Sequence, residues 1–311
     1  MNSKIRVTQG HEKGIGLEIF LKSYSLLGEV QQKSFLLYSQ ESTLSKYLKD
    51  CSINHRFENG ELHFWNQKIA LKECSSNSKT QTTNSLNEAI KDIKEQDILI
   101  TLPSSKDQIL LDGESTGGHT DFLRKKFKLD SLSMCFVNDA ETIILISDHI
   151  PLKEVTQISS TQIAHKISTT LSSLDKLQKS LKKVVVAGIN PHAGEHGLIG
   201  NEDSVIEEAI SELKNKRKAT EFVGPISGDA LHLYDSKEYL KVYLYHDQGL
   251  SYYKGLYQSF GLNITLGLPF LRMSVDHGTA FGLYGKNKAN YQGCLYQLKE
   301  ALRIQRNLNE K

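Results

Sequence analysis

Three histidines occupy equivalent places in the chain, each just after an apolar segment of the kind that forms buried β-strands. The pairs are TIILIS at 142–147 with His149, VVVAGI at 184–189 with His192, and KVYLY at 241–245 with His246. Because the carboxyl ends of parallel strands lie on one edge of a sheet, the imidazoles are expected to converge there. Three protein ligands with an open position are typical of a catalytic zinc-like site. The three together predict a catalytic metal site, whereas a single one would be an ordinary polar residue ending a strand.

Acidic residues stand beside two of these histidines. Asp148 precedes His149, and Asp247 follows His246. A carboxylate that accepts a hydrogen bond from a ligand ring fixes the orientation of that ring. Asp148 and Asp247 are therefore expected to orient ligands, whereas His196 is interpreted as a residue at the rim of the site.

Two further features suit an anionic ligand. The segment NPHAGEHGLIG at 190–200 holds three glycines ahead of a predicted helix, which would let backbone approach a ligand, although a plain flexible loop has the same composition. Downstream, Lys254, Asn263 and Arg272 supply an ammonium, an amide and a guanidinium. They would bind a phosphate if the fold gathers them. Surface Lys and Arg are common, so these residues alone do not identify such a site.

The elements that must position these residues follow a βαβ pattern. Short aliphatic segments alternate with segments of helical periodicity, which is typical of a mainly parallel sheet with helices. Strands are predicted at 5–8, 34–38 and 97–101, and helices at about 17–27, at 158–181 and from residue 204 onward. Ser204 and Glu207 have the spacing of a capping box. The Ser-, Thr- and Asn-rich segment 74–85 is predicted to be an exposed loop.

The composition excludes several classes of protein. The 311 residues, 39% of them hydrophobic, can fill one large core or two ordinary ones. With 38 basic and 36 acidic side chains, the net charge of +2 argues against nucleic acid or an anionic membrane as partner. Cys51, Cys74, Cys135 and Cys294 form no CxxC pair, and no apolar segment is long enough to span a membrane. We therefore expect reduced thiols and a cytoplasmic protein.

Several blocks of sequence form a recognisable series. They are TGGHTD at 116–121, NPHAGE at 190–195, Gly224-Pro225 with Asp229, YHDQG at 245–249, NITLGLPFLR at 263–272 and SVDHGTA at 274–280. In this order they resemble the signature blocks of the 4-hydroxythreonine-4-phosphate dehydrogenases, the PdxA family of pyridoxine (vitamin B6) biosynthesis. The resemblance spans nearly the whole chain and is weakest between about residues 20 and 95.

The resemblance implies a fold and an assembly. The fold would be the two-domain α/β/α architecture of the isocitrate and isopropylmalate dehydrogenase type, with a mainly parallel sheet, and not a Rossmann domain. One domain would be discontinuous, comprising residues 1–115 and 277–311. Residues 116–276 would form the domain with the metal and substrate residues. The active site would lie in the cleft and at the interface of a homodimer.

The resemblance also implies an activity. The family uses NAD, with NADP as an alternative, and a divalent cation (zinc, magnesium or cobalt). It oxidises 4-phosphohydroxy-L-threonine at the 3-hydroxyl, and decarboxylation gives 3-amino-2-oxopropyl phosphate. The matching metal ligands are His149, His192 and His246. The substrate-binding residues are His119, Thr120, Lys254, Asn263 and Arg272. The catalytic candidates are His119, Asp247 and Lys254, and the cofactor-binding positions are Gly278, Thr279 and Ala280.

Two family motifs are altered in this chain. The first glycine loop, usually Gly-Asp/Glu-Pro-Ala-Gly-Ile-Gly-Pro-Glu, has His11, Glu12 and Lys13 after its first glycine and lacks the acid-proline pair. Gly282 and Tyr284 stand where an acidic residue and an alanine are common. Two alternatives therefore stay open: a dehydrogenase of another phosphorylated four-carbon hydroxy acid, and a metal- and phosphate-binding relative without catalysis. The physiological metal, NAD against NADP, the general base and the subunit that supplies each ligand also stay open.

Overall fold

The computed structural model describes residues 3–75, 79–129, 131–177, 179–258, 260–275 and 277–310. The chain forms two compact units, the first comprising Met1–Asp130 with Leu268–Lys311 and the second comprising Ser131–Gly267. These bounds differ from the domain boundaries predicted after residues 115 and 276, the second of which falls at Asp276, outside the described residues.

The described strands and helices alternate along the chain. The strands are β1 (Ile5–Thr8), β2 (Phe35–Ser39), β3 (His55–Glu58), β4 (Glu61–Phe64), β5 (Gln67–Glu73), β6 (Ile98–Thr101), β7 (Leu110–Leu111), β8 (Glu114–Ser115), β9 (Ser133–Val137), β10 (Thr142–Leu145), β11 (Lys183–Ala187), β12 (Glu221–Ile226), β13 (Tyr239–Tyr243), β14 (Leu262–Leu266) and β15 (Leu271–Ser274). The helices are α1 (Gly16–Ser25), α2 (Glu29–Gln32), α3 (Glu41–Asp50), α4 (Gln81–Asp92), α5 (His119–Lys126), α6 (Leu152–Val155), α7 (Ser160–Lys176), α8 (Ser204–Lys216), α9 (His246–Tyr257) and α10 (Gln292–Asn309). Short 3-10 segments occupy Lys106–Gln108, Pro191–Gly197, Gly228–Leu233 and Phe281–Leu283.

The large sheet of the first unit has the strand order β15-β6-β1-β2-β5-β4-β3. The strands from β15 to β5 run parallel, whereas β4 is antiparallel to both β5 and β3. Every residue of β1, β6 and β15 is buried, as expected of parallel strands covered on both faces. Strand β15 pairs with β6, and helix α5 contacts β7, so both elements belong to the first unit. For this reason the observed unit boundaries differ from the predicted domain boundaries.

The second unit has the strand order β12-β11-β13-β10-β9-β14. The four strands from β12 to β10 are parallel, and β9 runs antiparallel to both β10 and β14. The strands that precede the three histidines, β10, β11 and β13, are therefore parallel neighbours with β13 in the middle. This confirms the prediction that they end on one edge of a sheet.

Most predicted elements are confirmed, but segment 74–85 is not an exposed loop. Helix α4 begins at Gln81, and the residues 82–85 are buried. Two of their hydroxyls donate hydrogen bonds to backbone carbonyls in or just after strands of the sheet. Thr82 Oγ1 donates to the Gly10 carbonyl at 2.7 Å, and Ser85 Oγ donates to the Tyr38 carbonyl at 2.6 Å. Short polar side chains that suggested a loop instead satisfy buried carbonyls at a helix start. Residues 76–78 of this segment lie outside the described residues.

The predicted capping box at Ser204 is wrong. Asp203 is the N-cap of α8, and Ser204 Oγ donates to the Asn201 carbonyl at 2.9 Å. The apolar stripe predicted for the preceding long helix is confirmed, because Ile163, Ile167 and Leu171 are buried along α7. The capping rule failed at α8 because the helix begins one residue earlier than predicted, so that Ser204 lies inside the helix and its hydroxyl bonds to the preceding turn.

The cysteines and the helices fit the expectations from composition. All four cysteines are free thiols. Burial raises the pKa of Cys74, Cys135 and Cys294 to about 12, so these thiols are unreactive at neutral pH. Within the described parts of the chain, no helix combines the length and the hydropathy that crossing a membrane requires.

Candidate functional site

The imidazoles of His149 and His246 lie close together in the second unit. Their ring centroids are 5.1 Å apart, and the ring planes meet at 41°. His149 follows β10 in a short loop, and His246 is the first residue of α9, which is separated from the end of β13 by two residues. Because β10 and β13 are paired neighbours, the two loops meet at the same edge. The structure therefore brings two of the three predicted metal ligands together.

Asp247 orients the His246 ring. Its Oδ1 lies 2.7 Å from His246 Nδ1. A carboxylate only accepts hydrogen bonds, so Nδ1 carries the proton and Nε2 keeps the electron pair that a cation would bind. Asp148 instead has its Oδ1 3.6 Å from the ammonium of buried Lys166. Asp247 thus has the orienting position that its place in the sequence suggested.

His192 lies on a loop with an unusual backbone. All residues from His192 to Gly197 have positive φ, between 43° and 92°. The His192 side chain is exposed, and its Nδ1 is 3.6 Å from Glu195 Oε1. In the portion of the chain that the structure describes, no group of three or more His, Cys, Asp or Glu side chains could hold a metal ion. A single chain therefore does not assemble all three predicted ligands.

Arg272 and His119 interact electrostatically in the first unit. Arg272 on β15 is 4% exposed and donates from Nε and Nη2 to Thr101 Oγ1, at 3.1 and 2.6 Å. Burial lowers the pKa of Arg272 to about 10. Burial, together with the charge of Arg272, lowers the pKa of His119 to about 3. The guanidinium is therefore charged and the imidazole neutral at neutral pH. His119 begins α5, and Thr120 follows it.

His119 has a further property that suits a ligand site. Its Nε2 is shielded from solvent and has no hydrogen-bond partner among the residues that the structure describes. A buried polar atom without a partner costs about 1–3 kcal/mol. A ligand hydroxyl or protonated phosphate oxygen that donates to Nε2 would remove that cost.

His119 should make the protein sensitive to acid. The pKa of His119 falls from 6.5 to about 3 on folding. Between these pH values the unfolded state therefore binds a proton and the folded state does not. The free energy of unfolding should therefore fall as the pH drops below 6.5 and level off near pH 3. A His119→Gln variant cannot titrate there, so it should lose less stability than the parent between about pH 7 and pH 5. Urea unfolding at both pH values measures this, and an identical loss in both proteins would contradict it.

Lys254 and Asn263, the other predicted phosphate ligands, belong to the second unit. Lys254 is exposed on α9, the helix that begins with His246. Asn263 on β14 is 8% exposed, and its Oδ1 has no hydrogen-bond partner within the described ranges. A buried amide oxygen of this kind would also be stabilised by a donor from a ligand.

The predicted cofactor segment Gly278–Ala280 contacts the glycine loop of the first unit. The Ile15 amide donates to the Thr279 carbonyl at 3.0 Å. A Cβ on Gly14 would lie 3.3 Å from the same oxygen, so a larger residue would press the two segments apart. The altered glycine loop therefore lies against the segment that leads into the second altered motif, at Gly282 and Tyr284.

The altered residues have defined contacts there. The His11 ring packs edge-on against Phe281, with 4.7 Å between centroids. Tyr284 donates to Asp50 Oδ2 at 2.9 Å. Glu12, Lys13 and Tyr284 line a pocket of about 290 Å³. Both departures from the family pattern thus border the same small cavity.

A larger pocket, not anticipated from the sequence, lies beside His192 in the second unit. It has a volume of about 840 Å³, and Asp229 and Tyr245 are among its lining residues. Glu141, also in its wall, is 2% exposed; its Oε1 accepts from Lys241 and from the Tyr252 hydroxyl. His192, Asp229 and Tyr245 belong to sequence blocks named above, but the pocket that they share could not be predicted, because its residues come from separate loops and from α9.

A family model for the pyridoxal phosphate biosynthetic protein PdxA matches residues 20–303. The chain belongs to the PdxA family. It is 31% identical over 307 residues to a 4-hydroxythreonine-4-phosphate dehydrogenase of Sulfurimonas denitrificans, with 97% of each chain covered. The family resemblance inferred from the sequence blocks is confirmed, and the chain is an oxidoreductase of this family.

Solved structures confirm the fold. A 4-hydroxythreonine-4-phosphate dehydrogenase from Klebsiella pneumoniae has a TM-score of 0.77 and 26% identity, with 97% of this chain and 99% of that chain covered. An isocitrate dehydrogenase from Methylococcus capsulatus has a TM-score of 0.52 at 11% identity, with 99% and 89% covered. The PdxA family chain therefore has the expected isocitrate dehydrogenase type of fold.

Proposed function

We propose that this protein oxidises 4-phosphohydroxy-L-threonine at the 3-hydroxyl with NAD and a divalent cation. Decarboxylation then gives 3-amino-2-oxopropyl phosphate, in cytoplasmic pyridoxal phosphate biosynthesis. Membership of the PdxA family over residues 20–303 supports the activity. The observation that carries the proposal is the His149–His246 pair, at 5.1 Å, with Asp247 bound to the second ring.

The donor set fits a divalent cation. The proton on His246 Nδ1 leaves Nε2 as a ligand atom, and the neighbouring His149 ring adds a second imidazole. Imidazole suits zinc and cobalt better than magnesium, which prefers oxygen ligands. When bound, a cation stabilises negative charge that develops on a substrate oxygen, and NAD accepts a hydride. We assign His192 as the third ligand.

We propose that a homodimer completes the ligand set. Within the described ranges a single chain holds no three-residue metal group. Large apolar side chains are exposed in the second unit at Ile150 (41%), Leu198 (85%), Leu233 (72%) and Leu256 (59%). Ile150 follows His149, and Leu198 follows the His192 loop. Exposed apolar side chains beside a candidate site are typical of a surface that another subunit covers.

The chain's own residues would bind and orient the substrate. Arg272 and Lys254 supply positive charge for the phosphate, and Thr120 and Asn263 supply further polar groups. Neutral His119 offers Nε2 as an acceptor for a substrate hydroxyl. Its pKa of about 3 makes it a weak base, which favours an orienting role and leaves Asp247 or Lys254 as the residue that moves the proton.

We also propose that the nicotinamide cofactor binds at the first unit's glycine loop. Gly278–Ala280 packs on that loop through the bond from Ile15 to Thr279. A Cβ on Gly278 would meet no described atom within 4 Å, so the segment leaves open space in which a dinucleotide can approach the backbone. NADP is an alternative, since Lys13 lines the adjoining cavity.

An NADH assay tests the function. Purified protein, a divalent metal and NAD or NADP are mixed with 4-phosphohydroxy-L-threonine or with 4-phosphoerythronate, and reduced cofactor is followed by absorbance. We expect reduction with the first substrate. Reduction with phosphoerythronate alone would establish the related four-carbon dehydrogenase instead. Metal binding without reduction from either substrate would establish a binding protein that has lost hydride transfer.

A further inference from the structure

A buried carboxylate holds the segment just before His192. Asp203 is 4% exposed. Its Oδ1 accepts the backbone N–H of Ile189 at 2.6 Å. Its Oδ2 accepts the backbone N–H and the Nδ2 of Asn190, at 3.2 and 3.0 Å. Three donors from two consecutive residues therefore converge on one side chain.

Asp203 does not use this carboxylate to cap its own helix. An aspartate at the N-cap usually accepts a hydrogen bond from the first turn. Asp203 is the N-cap of α8, yet in this described stretch its side chain makes no such bond. The positive end of the helix dipole still favours its negative charge. The side chain of Asp203 therefore makes its hydrogen bonds to the loop that follows β11, and not to its own helix.

Asp203 also contacts the turn that carries His192. A Cβ on Gly188, at the end of β11, would lie 2.9 Å from Asp203 Oδ1. A Cβ on Gly194, inside the turn, would lie 3.2 Å from Asp203 Oδ2. The carboxylate thus fills the space between the strand end and the turn, and Gly188 and Gly194 leave room for it on either side.

The turn needs such support because its backbone is strained. His192, Ala193, Glu195 and His196 have φ between 43° and 55°. A residue with a side chain in this left-handed region costs about 1–2 kcal/mol. Several in succession persist only when surrounding contacts fix them. The bonds to Asp203 supply such contacts at the start of the turn.

We propose that Asp203 is a positioning residue for His192, whose imidazole it holds in place for the cation by fixing Ile189 and Asn190. The inference rests on the proposed function, since that function makes His192 a metal ligand. Loss of a hydrogen-bonded support of a metal ligand typically weakens metal affinity about 10–100-fold. We expect a loss of that size when Asp203 is changed.

The test compares Asp203→Asn with Glu202→Gln. The asparagine keeps the size of Asp203 but turns one acceptor into a donor facing N–H groups. Glu202 is a matched control because its Oε2 also accepts from Asn190 Nδ2, at 2.8 Å, on the exposed side. Metal-free protein is titrated with Co²⁺ by calorimetry and visible absorption. We expect about 10–100-fold weaker binding for Asp203→Asn and at most about fivefold for Glu202→Gln, as for an exposed contact.

Affinity and stoichiometry separate positioning from simple misfolding. A purely structural defect would lower the fraction of protein that binds Co²⁺ and leave the affinity of that fraction unchanged. A positioning defect lowers the affinity and is relieved at saturating Co²⁺, where the absorption spectrum should approach that of the parent. Circular dichroism and the Tm of each variant record the folded state.

His192→Ala separates this inference from the proposed function. Unchanged affinity in Asp203→Asn, with affinity lost in His192→Ala, would overturn the positioning role and leave the metal site standing. Unchanged affinity in His192→Ala would remove the ligand set on which the proposed function depends.

Discussion

Alanine in place of His192 should abolish metal-dependent formation of NADH, lowering kcat/KM at least about a thousandfold. The reason is that a cation contributes several kcal/mol of charge stabilisation at the reacting oxygen, and each 1.4 kcal/mol is worth about tenfold in rate. The measurement is the initial rate of NADH formation with 4-phosphohydroxy-L-threonine over a range of metal concentrations.

His196→Ala is the matched control. His196 lies in the same left-handed turn, with φ 55° against 54° for His192, and is also exposed. Any backbone effect of the substitution should therefore be shared. Because His196 is assigned to the rim, its variant should stay within about twofold of the parent, as for a neutral surface change. Equal losses in the two variants would show that the turn matters and the His192 imidazole does not.

Mixed dimers show whether subunits share the ligand set. If His192 meets His149 and His246 of another copy, a dimer of one His192→Ala chain and one His246→Ala chain has one intact site and one with both substitutions. Co-refolding the two inactive variants should then restore activity. If each chain holds its own site, every site carries one substitution and the mixture stays inactive.

The histidine-bearing strands could be predicted because their signal is local. Apolar β-branched segments such as Val184–Ile189 indicate buried strands, and the βαβ alternation indicates that these strands run parallel. The edge on which His149 and His246 meet is then a consequence of topology. The resemblance to the family's sequence blocks implied roles for single residues, such as phosphate binding by Arg272. It gave no information on the surroundings of those residues.

The shape of the His192 loop could not be predicted, because it is set by tertiary contacts. Glycines 194 and 197 permit positive φ, but nothing local requires it at His192 itself. The role of Asp203 could not be predicted for the same reason. The spacing of Ser204 and Glu207 matched a local capping rule, while the carboxylate that matters reaches back to Ile189. The low pKa of His119 likewise depends on burial beside Arg272, a residue distant in sequence.

Arg272→Lys should raise the KM for the phosphorylated substrate and lower kcat/KM about 10–100-fold. Lysine keeps the positive charge but loses the planar fork, and a hydrogen bond to a charged group contributes about 1.5–3 kcal/mol. The buried setting, 4% exposed, makes each lost bond matter. Steady-state kinetics over a range of substrate concentrations give KM and kcat separately.

Arg6→Lys is the control for removing a buried guanidinium from this sheet. Arg6 on β1 is 7% exposed and donates from Nε to Asp97 Oδ2 at 2.7 Å. That ion pair holds strand β1 to residues near β6 and has no proposed role with substrate. Arg6→Lys should therefore lower the Tm and leave KM unchanged, whereas Arg272→Lys should change KM. If both variants raise KM to the same degree, the effect of Arg272 comes from general loosening of the sheet, and its assignment to the phosphate fails.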